Sequence, residues 1–194
     1  MNTPFVHPTA VIDEPVTLGA GTKVWHFCHI CRGARIGENV VLGQNCYVAS
    51  TVIVGDGCRI QNNVSLYDGV VLEQDVFIGP SAVFTNVVNP RAPINRHNEF
   101  KKTRVRQGAT VGANATILPG ITLGAYCFVA AGAVVTGDVP GHALMAGVPA
   151  RPIGWVSEEG NRLRDADESD TLVCVTSGRY YRLTPDGLVP LEQK

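Results

Sequence analysis

Residues 40–78 read VVLGQNCYVASTVIVGDGCRIQNNVSLYDGVVLEQDVFI, and within them Leu42, Val48, Val54, Ile60, Leu66, Leu72 and Ile78 fall at every sixth position. Worked outward, the same count runs back through Ile36, Ile30, Val24, Leu18 and Ile12 to Val6, and forward to Phe84, fourteen large apolar residues without a gap. It resumes at Val105 and continues through Val111, Ile117, Leu123, Val129 and Val135, giving twenty hexads. Two residues before the large position stands a small or β-branched one, as at Ala10, Val16, Thr22, Cys28, Ala34, Val40, Cys46, Val52, Cys58, Val64, Val70, Val76, Ala82 and Val88. Side chains two apart on an extended strand share a face, so each hexad supplies one inward pair. Three residues after the large position, thirteen of the twenty hexads carry Gly, Asn or Asp, the residue types that tolerate positive φ. A short strand and a sharp corner every six residues predict an all-β parallel solenoid. A helix is disfavoured, because six does not match a 3.6-residue period and β-branched residues prefer strands.

Periodicity leaves the number of faces and the handedness open. The pattern resembles the hexapeptide repeat of left-handed parallel β-helix acyltransferases, which implies three faces and eighteen residues per coil. Twenty hexads then make nearly seven coils, a prism roughly 30 Å long at a stacking distance of about 4.8 Å.

Composition bounds the rest. At 194 residues, 45% hydrophobic and net charge −1, the chain reads as one domain with a short appendage, without whole-protein attraction to nucleic acid or to an anionic membrane. No apolar run approaches the roughly 20 residues of a membrane span, and the polar start lacks the regions of a signal peptide, so the expected location is the cytoplasm. We expect a β-helix domain over residues 1–154, with an inserted loop at 90–104, and an extension over 155–194. The string TLVCVTSGRYYRLTPDGLVPL in that extension alternates around Thr-Pro-Asp-Gly, a turn signal that predicts a small hairpin. Cys28, Cys46, Cys58 and Cys127 fill small inward positions as compact hydrophobes, while Cys31 and Cys174 lie elsewhere. Cys28 and Cys31 are spaced as CxxC, but on the strand they should face opposite ways, which argues against a disulfide framework or a zinc–thiolate centre.

The hexads stop in VVNPRAPINRHNEFKKTRVRQG, residues 87–108. Pro90 and Pro93 prevent the strand from continuing, and a loop of this length in a compact repeat is commonly functional. From Pro90 to Arg106 it holds Arg91, Arg96, Lys101, Lys102, Arg104 and Arg106 against the single acid Glu99, which suits an anionic ligand. One aromatic, Phe100, is too few for nucleic-acid stacking.

With eighteen residues per coil, His26, Gln44 and Asn62 form one corner ladder, and Phe27, Asn45 and Asn63 its neighbour. Asp68 stacks under Asn86 and Tyr67 under Thr85. Within the terminal ALMAGVPARPIGW, the Gly-Val-Pro-Ala-Arg segment is expected to be a loop that packs on the last coil and covers its open edge. It resembles the segment that hexapeptide acyltransferases place beside coenzyme A, which implies that Arg151 meets a coenzyme A phosphate and that Gly112, Ala130, Ala131 and Thr136 line the pantetheine groove.

Longer strings, VWHFCHICRGARIGENVVLGQN, IQNNVSLYDGV, GPSAVFTNVVNPR and GVPARPIGW, resemble sugar-nucleotide N-acetyltransferases acting on a 3-amino group, above all those specific for UDP-2-acetamido-3-amino-2,3-dideoxy-glucuronate. The resemblance implies an acetyl-CoA-dependent cytoplasmic enzyme of surface polysaccharide (O-antigen) synthesis, a homotrimer with sites between subunits, requiring no metal. It implies that Asn86 orients the attacking amine. His26 or Asp68 is the candidate proton acceptor, and Gln44, Asn62, Asn63, Tyr67, Arg91 and Arg96 are candidates for the nucleotide sugar. The alternatives are a dTDP-3-amino-deoxyhexose as substrate, or a noncatalytic scaffold. A γ-type carbonic anhydrase shares the solenoid but needs three histidines, and IQNNVSLYD lacks the one expected to follow it.

Overall fold

In the computed structural model, which describes residues 3–166, 170–184 and 187–191, nearly every hexad becomes a two-residue strand followed by a corner. In each strand the first residue faces out and the second in, as in Arg59–Ile60, exposed then buried. Strands pair in parallel eighteen residues apart, Phe5 with Lys23, Val11 with His29 and Thr17 with Arg35. Three hexads therefore close one coil, and the strands stack into three sheets, called here faces A, B and C in the order the chain visits them. The result is the left-handed parallel β-helix anticipated above, with eight parallel strands on face A and so eight turns instead of seven.

The extra turn comes from the ALMA string; the expected loop follows it as a turn at residues 147–150, although Arg151 already begins the next strand. Ala143–Ala146 is a strand with alternating burial that pairs in parallel with Phe128–Val129. Arg151–Trp155 then folds back antiparallel upon it, covering the last strand edge.

The inward column is nearly solvent-free from Val24 to Val135, and only the first coil, with Val6, Ala10, Ile12, Val16 and Leu18, is partly open. The small inward position also satisfies backbone polarity. Thr22 Oγ1 donates to the Gly37 carbonyl at 2.8 Å, and the thiols of Cys28, Cys46 and Cys58 reach the carbonyls of Gly43, Gln61 and Glu73 at 3.0, 3.2 and 3.0 Å. These cysteines are thus more than space fillers: each meets a corner carbonyl fifteen residues onward. For Cys127 burial outweighs a backbone hydrogen bond and pushes its thiol up to about 12.

Positive φ recurs three residues after the large position, at Asn39, Asn45, Asn63, Asp75 and Asn114 as their type predicts, and also at Phe27, Ser81 and Tyr126, which lack that intrinsic tolerance. The stacked ladders of neighbouring coils impose the corner even there.

Val88 departs from its expected inward place and is 61% exposed, because the chain leaves the prism in that hexad. Val70 pairs with Thr103, thirty-three residues on, which is one coil of eighteen plus an insertion of fifteen. The length of the insertion is as counted, but buried Thr103 takes the inward place, so the strand resumes at Thr103 instead of Val105. The loop holds a 3-10 turn, His97–Glu99, and is closed at its base by Lys101 N–H donating to the Asn86 carbonyl at 2.9 Å.

The extension is a four-stranded antiparallel sheet, not a lone hairpin: Arg164–Asp165, Thr171–Val173, Tyr180–Thr184 and Gly187–Pro190. The last two pair as anticipated; Pro185 and Asp186 of the turn lie outside the described residues. His142, 5% exposed, joins sheet to prism. Its ring lies between those of Tyr126 and Tyr181, at 5.2 and 5.5 Å, and its Nδ1 is 3.0 Å from the Val156 carbonyl. No helix among the described residues is long and apolar enough to cross a membrane.

Candidate active site

The candidate residues occupy two of the three edges of the prism. On the edge between faces A and B, His26, Gln44 and Asn62 stack at successive turns around a recess of about 280 Å³. The Gln44 N–H donates to Asn62 Oδ1 at 2.9 Å, and Asn45 Nδ2 donates to Asn63 Oδ1 at 3.1 Å, so the predicted ladders form. His26 is held by rings that sequence reasoning missed: it stacks on His7 at 3.5 Å and lies nearly parallel to Trp25 at 6.2 Å. The available signal was the aromatic run WHF in a corner where other coils carry Gly, Gln or Asn.

On the edge between faces B and C, Asp68 Oδ1 accepts from the Thr51 N–H and hydroxyl at 3.1 and 2.8 Å, and Thr51 Oγ1 accepts from the Gly69 N–H. One oxygen of Asp68 is thus committed to joining turns. The Asn86 carboxamide makes no hydrogen bond among the described residues and stands half-exposed where the loop departs. An open depression of about 520 Å³ in the loop is lined by Val87, Arg91, Arg96, His97 and Phe100 among others. The two candidate arginines differ there. Arg96 is paired with Glu99 through Nη1, at 2.7 and 2.9 Å, which neutralises it locally; Arg91 bonds only the Pro90 carbonyl at 3.3 Å.

The coenzyme A candidates divide in the same way. Gly112, Ala130 and Ala131 lie on the A–B edge near the C-terminal end, whereas Thr136 follows the last face B strand onto the B–C side; it shares a recess of about 210 Å³ with Arg151, which pairs with Ala146 in the sheet of face A. Gly112 has a structural reason to lack a side chain: a Cβ there would stand 2.5 Å from Ala131 N and 2.8 Å from the Val129 carbonyl oxygen. Within one chain, then, the two halves of the candidate site are separated by face B. The outward residues of that face are Val11, His29, Tyr47, Ser65, Val83, Thr116 and Val134, with no Lys, Arg, Asp or Glu among them.

A prism with a recessed edge, a basic loop and a capped terminal coil has counterparts among known proteins, and these are acyltransferases that use acetyl-CoA. The chain matches the family described as bacterial transferase hexapeptide (six repeats) at residues 15–50, 33–68, 51–86 and 102–137. It is 40% identical over 187 residues, 96% of this chain and 94% of the relative, to a dTDP-3-amino-3,6-dideoxy-alpha-D-galactopyranose 3-N-acetyltransferase of Aneurinibacillus thermoaerophilus. Among solved structures, PerB from Caulobacter crescentus, in complex with CoA and GDP-perosamine, superposes with TM-score 0.52 at 25% identity, covering 79% of this chain and 58% of that one. A hexapeptide-repeat-containing acetyltransferase of Vibrio cholerae O1 biovar eltor, complexed with acetyl coenzyme A, gives TM-score 0.56 at 29% identity over 64% of this chain and 72% of that one. The chain belongs to the hexapeptide-repeat sugar N-acetyltransferases, which sets aside the scaffold alternative.

Proposed function

We propose that this enzyme acetylates the 3-amino group of a dTDP-linked 3-amino-3,6-dideoxyhexose, using acetyl-CoA, in the cytoplasm, for a surface polysaccharide such as O-antigen. The observation that carries the substrate is the 40% identity across 96% of the chain to an enzyme named for such a sugar. This favours the alternative of the sequence analysis over UDP-2-acetamido-3-amino-2,3-dideoxy-glucuronate. The uronate keeps one supporting observation, Arg91, whose guanidinium faces no carboxylate among the described residues.

The active unit is a homotrimer in which the A–B edge of one subunit meets the B–C edge of the next across face B. The absence of charged side chains from that face and the division of candidate residues between its two borders support this. Such a site joins His26, Gln44, Asn62 and Asn63 to Tyr67, Asp68, Asn86 and Arg91, and likewise Gly112, Ala130 and Ala131 to Thr136 and Arg151.

The chemistry needs a neutral amine close to the thioester carbonyl. A sugar amine with a pKa of about 8, by analogy with α-amino groups, is partly neutral near pH 7, so a strong base is not required. The Asn86 side-chain oxygen accepts one amine N–H and directs the nitrogen lone pair at the carbonyl carbon. As the C–N bond forms and the C–S bond breaks, the departing thiolate of coenzyme A takes the amine proton. His26 and Asp68 bind and position.

The test is thiol release from acetyl-CoA with dTDP-3-amino-3,6-dideoxygalactose, the UDP-amino-uronate, and that sugar without its carboxylate. Faster turnover of the dTDP sugar supports the proposal; turnover of the uronate alone would replace it with the second substrate and assign the carboxylate to Arg91.

A further inference from the structure

In the first two turns, across face B from His26, Asp13, His29 and Cys31 present a carboxylate oxygen, a ring nitrogen and a thiol sulfur that all lie within 4.8 Å of one another. The repeat itself brings them together. Asp13 and Cys31 are eighteen apart and occupy the same corner position of successive turns, while His29 and Cys31 are two apart and project from the same side of one strand. Their backbones are fixed by inter-turn bonds, Asp13 N–H to the Ile30 carbonyl at 2.9 Å and Cys31 N–H to the Val48 carbonyl at 2.8 Å. His29 Nε2 already stands 2.9 Å from Asp13 Oδ2, and the Cys31 thiol is 3.4 Å from the Tyr47 hydroxyl.

We propose that Asp13, His29 and Cys31 form a binding site for one divalent transition-metal ion of the zinc class. The donor set selects the metal: one thiolate, one imidazole and one carboxylate suit zinc or cobalt, whereas calcium and magnesium require oxygen ligands. In a tetrahedral zinc site the ligand atoms sit about 3.5 Å apart, so a contraction of about 1 Å by side-chain rotation completes the cage, leaving the fourth position to water. On binding, the Cys31 thiol releases its proton to solvent and His29 carries its proton on Nδ1, freeing the Nε2 lone pair. The Tyr47 hydroxyl, already beside the sulfur, turns its proton toward the thiolate, and its ring, 5.6 Å from that of His29 and edge-on, limits the imidazole's rotation. The ion takes no part in acetyl transfer. It pins the first coil to the second where the core is only partly buried.

The experiment is titration of the reduced, metal-free protein with cobalt(II), followed by absorbance, with zinc as competitor. Cys28, Cys46, Cys58, Cys127 and Cys174 are buried, so a thiolate-to-cobalt band reports Cys31. The expected result is a near-ultraviolet charge-transfer band that saturates at one ion per chain, is abolished in Cys31→Ser, and shows at least a tenfold weaker affinity in His29→Ala and in Asp13→Ala. Zinc should raise the melting temperature of the parent protein and leave that of Cys31→Ser unchanged, with both melting alike before metal is added. No band with the parent, a band that survives Cys31→Ser, or affinity indifferent to His29 and Asp13 would each overturn the site, the last identifying a lone thiol that collects metal.

Discussion

Replacing Gly112 by alanine tests whether the small residues of the A–B edge exist for coenzyme A or for the stacking of coils. Gly112 does not have a positive φ, so alanine meets no conformational barrier there; the cost is steric. Its Cβ would lie 2.5 Å from Ala131 N, against an ordinary contact of 3.4 Å, and the next coil must withdraw by about 0.9 Å or tilt. The obstacle is backbone, held by the Gly112 N–H to the Val129 carbonyl at 2.8 Å and the Gly132 N–H to the Ala113 carbonyl at 2.8 Å, so no side chain can rotate aside. Overpacking of this kind costs about 1–3 kcal/mol, and weakening two hydrogen bonds adds about 1 kcal/mol, for a total of about 3 kcal/mol. For a chain of this size that is a fall of about 6–12 °C in melting temperature. Thermal unfolding followed by circular dichroism without coenzyme A is the assay, with Gly137→Ala as control. A Cβ at Gly137 has nothing within 4 Å and the residue lacks a positive φ, so this variant should melt within about 2 °C of the parent. An unchanged melting temperature in Gly112→Ala, with KM for acetyl-CoA raised, would refute the stacking argument and return this glycine to the cofactor groove.

Asn86→Ala should lower kcat by about 100-fold or more through loss of amine orientation, while His26→Ala stays within about tenfold; near-complete loss in a folded His26→Ala variant would make His26 the base. Mixing inactive Asn86→Ala with an inactive Asn62→Ala chain, then denaturing and refolding together, should restore part of the activity if each site draws on two subunits, and none if it lies within one chain. Ile60→Ala removes most of a wholly buried side chain and should cost about 2–5 kcal/mol, read as a lower urea midpoint. His142 has its pKa lowered, chiefly by burial, so the unfolded chain takes up a proton below about pH 6.5 where the folded one resists it. Stability should fall as pH drops from 6.5 toward the folded value, and His142→Gln should flatten that part of the pH–melting profile.

The chain of large apolar residues determined a parallel solenoid by itself, while its three faces came from the resemblance and are seen in the eighteen-residue strand pairing. A hexad pattern admits one way to bury both members of each inward pair, and a period repeated twenty times averages out local exceptions, so Phe27, Ser81 and Tyr126 adopt the corner their neighbours dictate. The fifteen-residue length of the insertion was equally legible, because register must be restored in whole coils. What sequence could not supply is wherever contact ignores the period. The ALMA strand and its antiparallel cover, the seating of His142 between two tyrosines, and the pairing of Arg96 with Glu99 depend on how non-repeating segments fold back, and no column predicts that. The candidate site shows the same division. Its ladders follow from counting eighteen, but their separation onto two edges of one prism is a fact of three-dimensional closure: residues close in the count, such as Asn62 and Asp68, stand on opposite borders of face B because the strand Ser65–Leu66 runs between them.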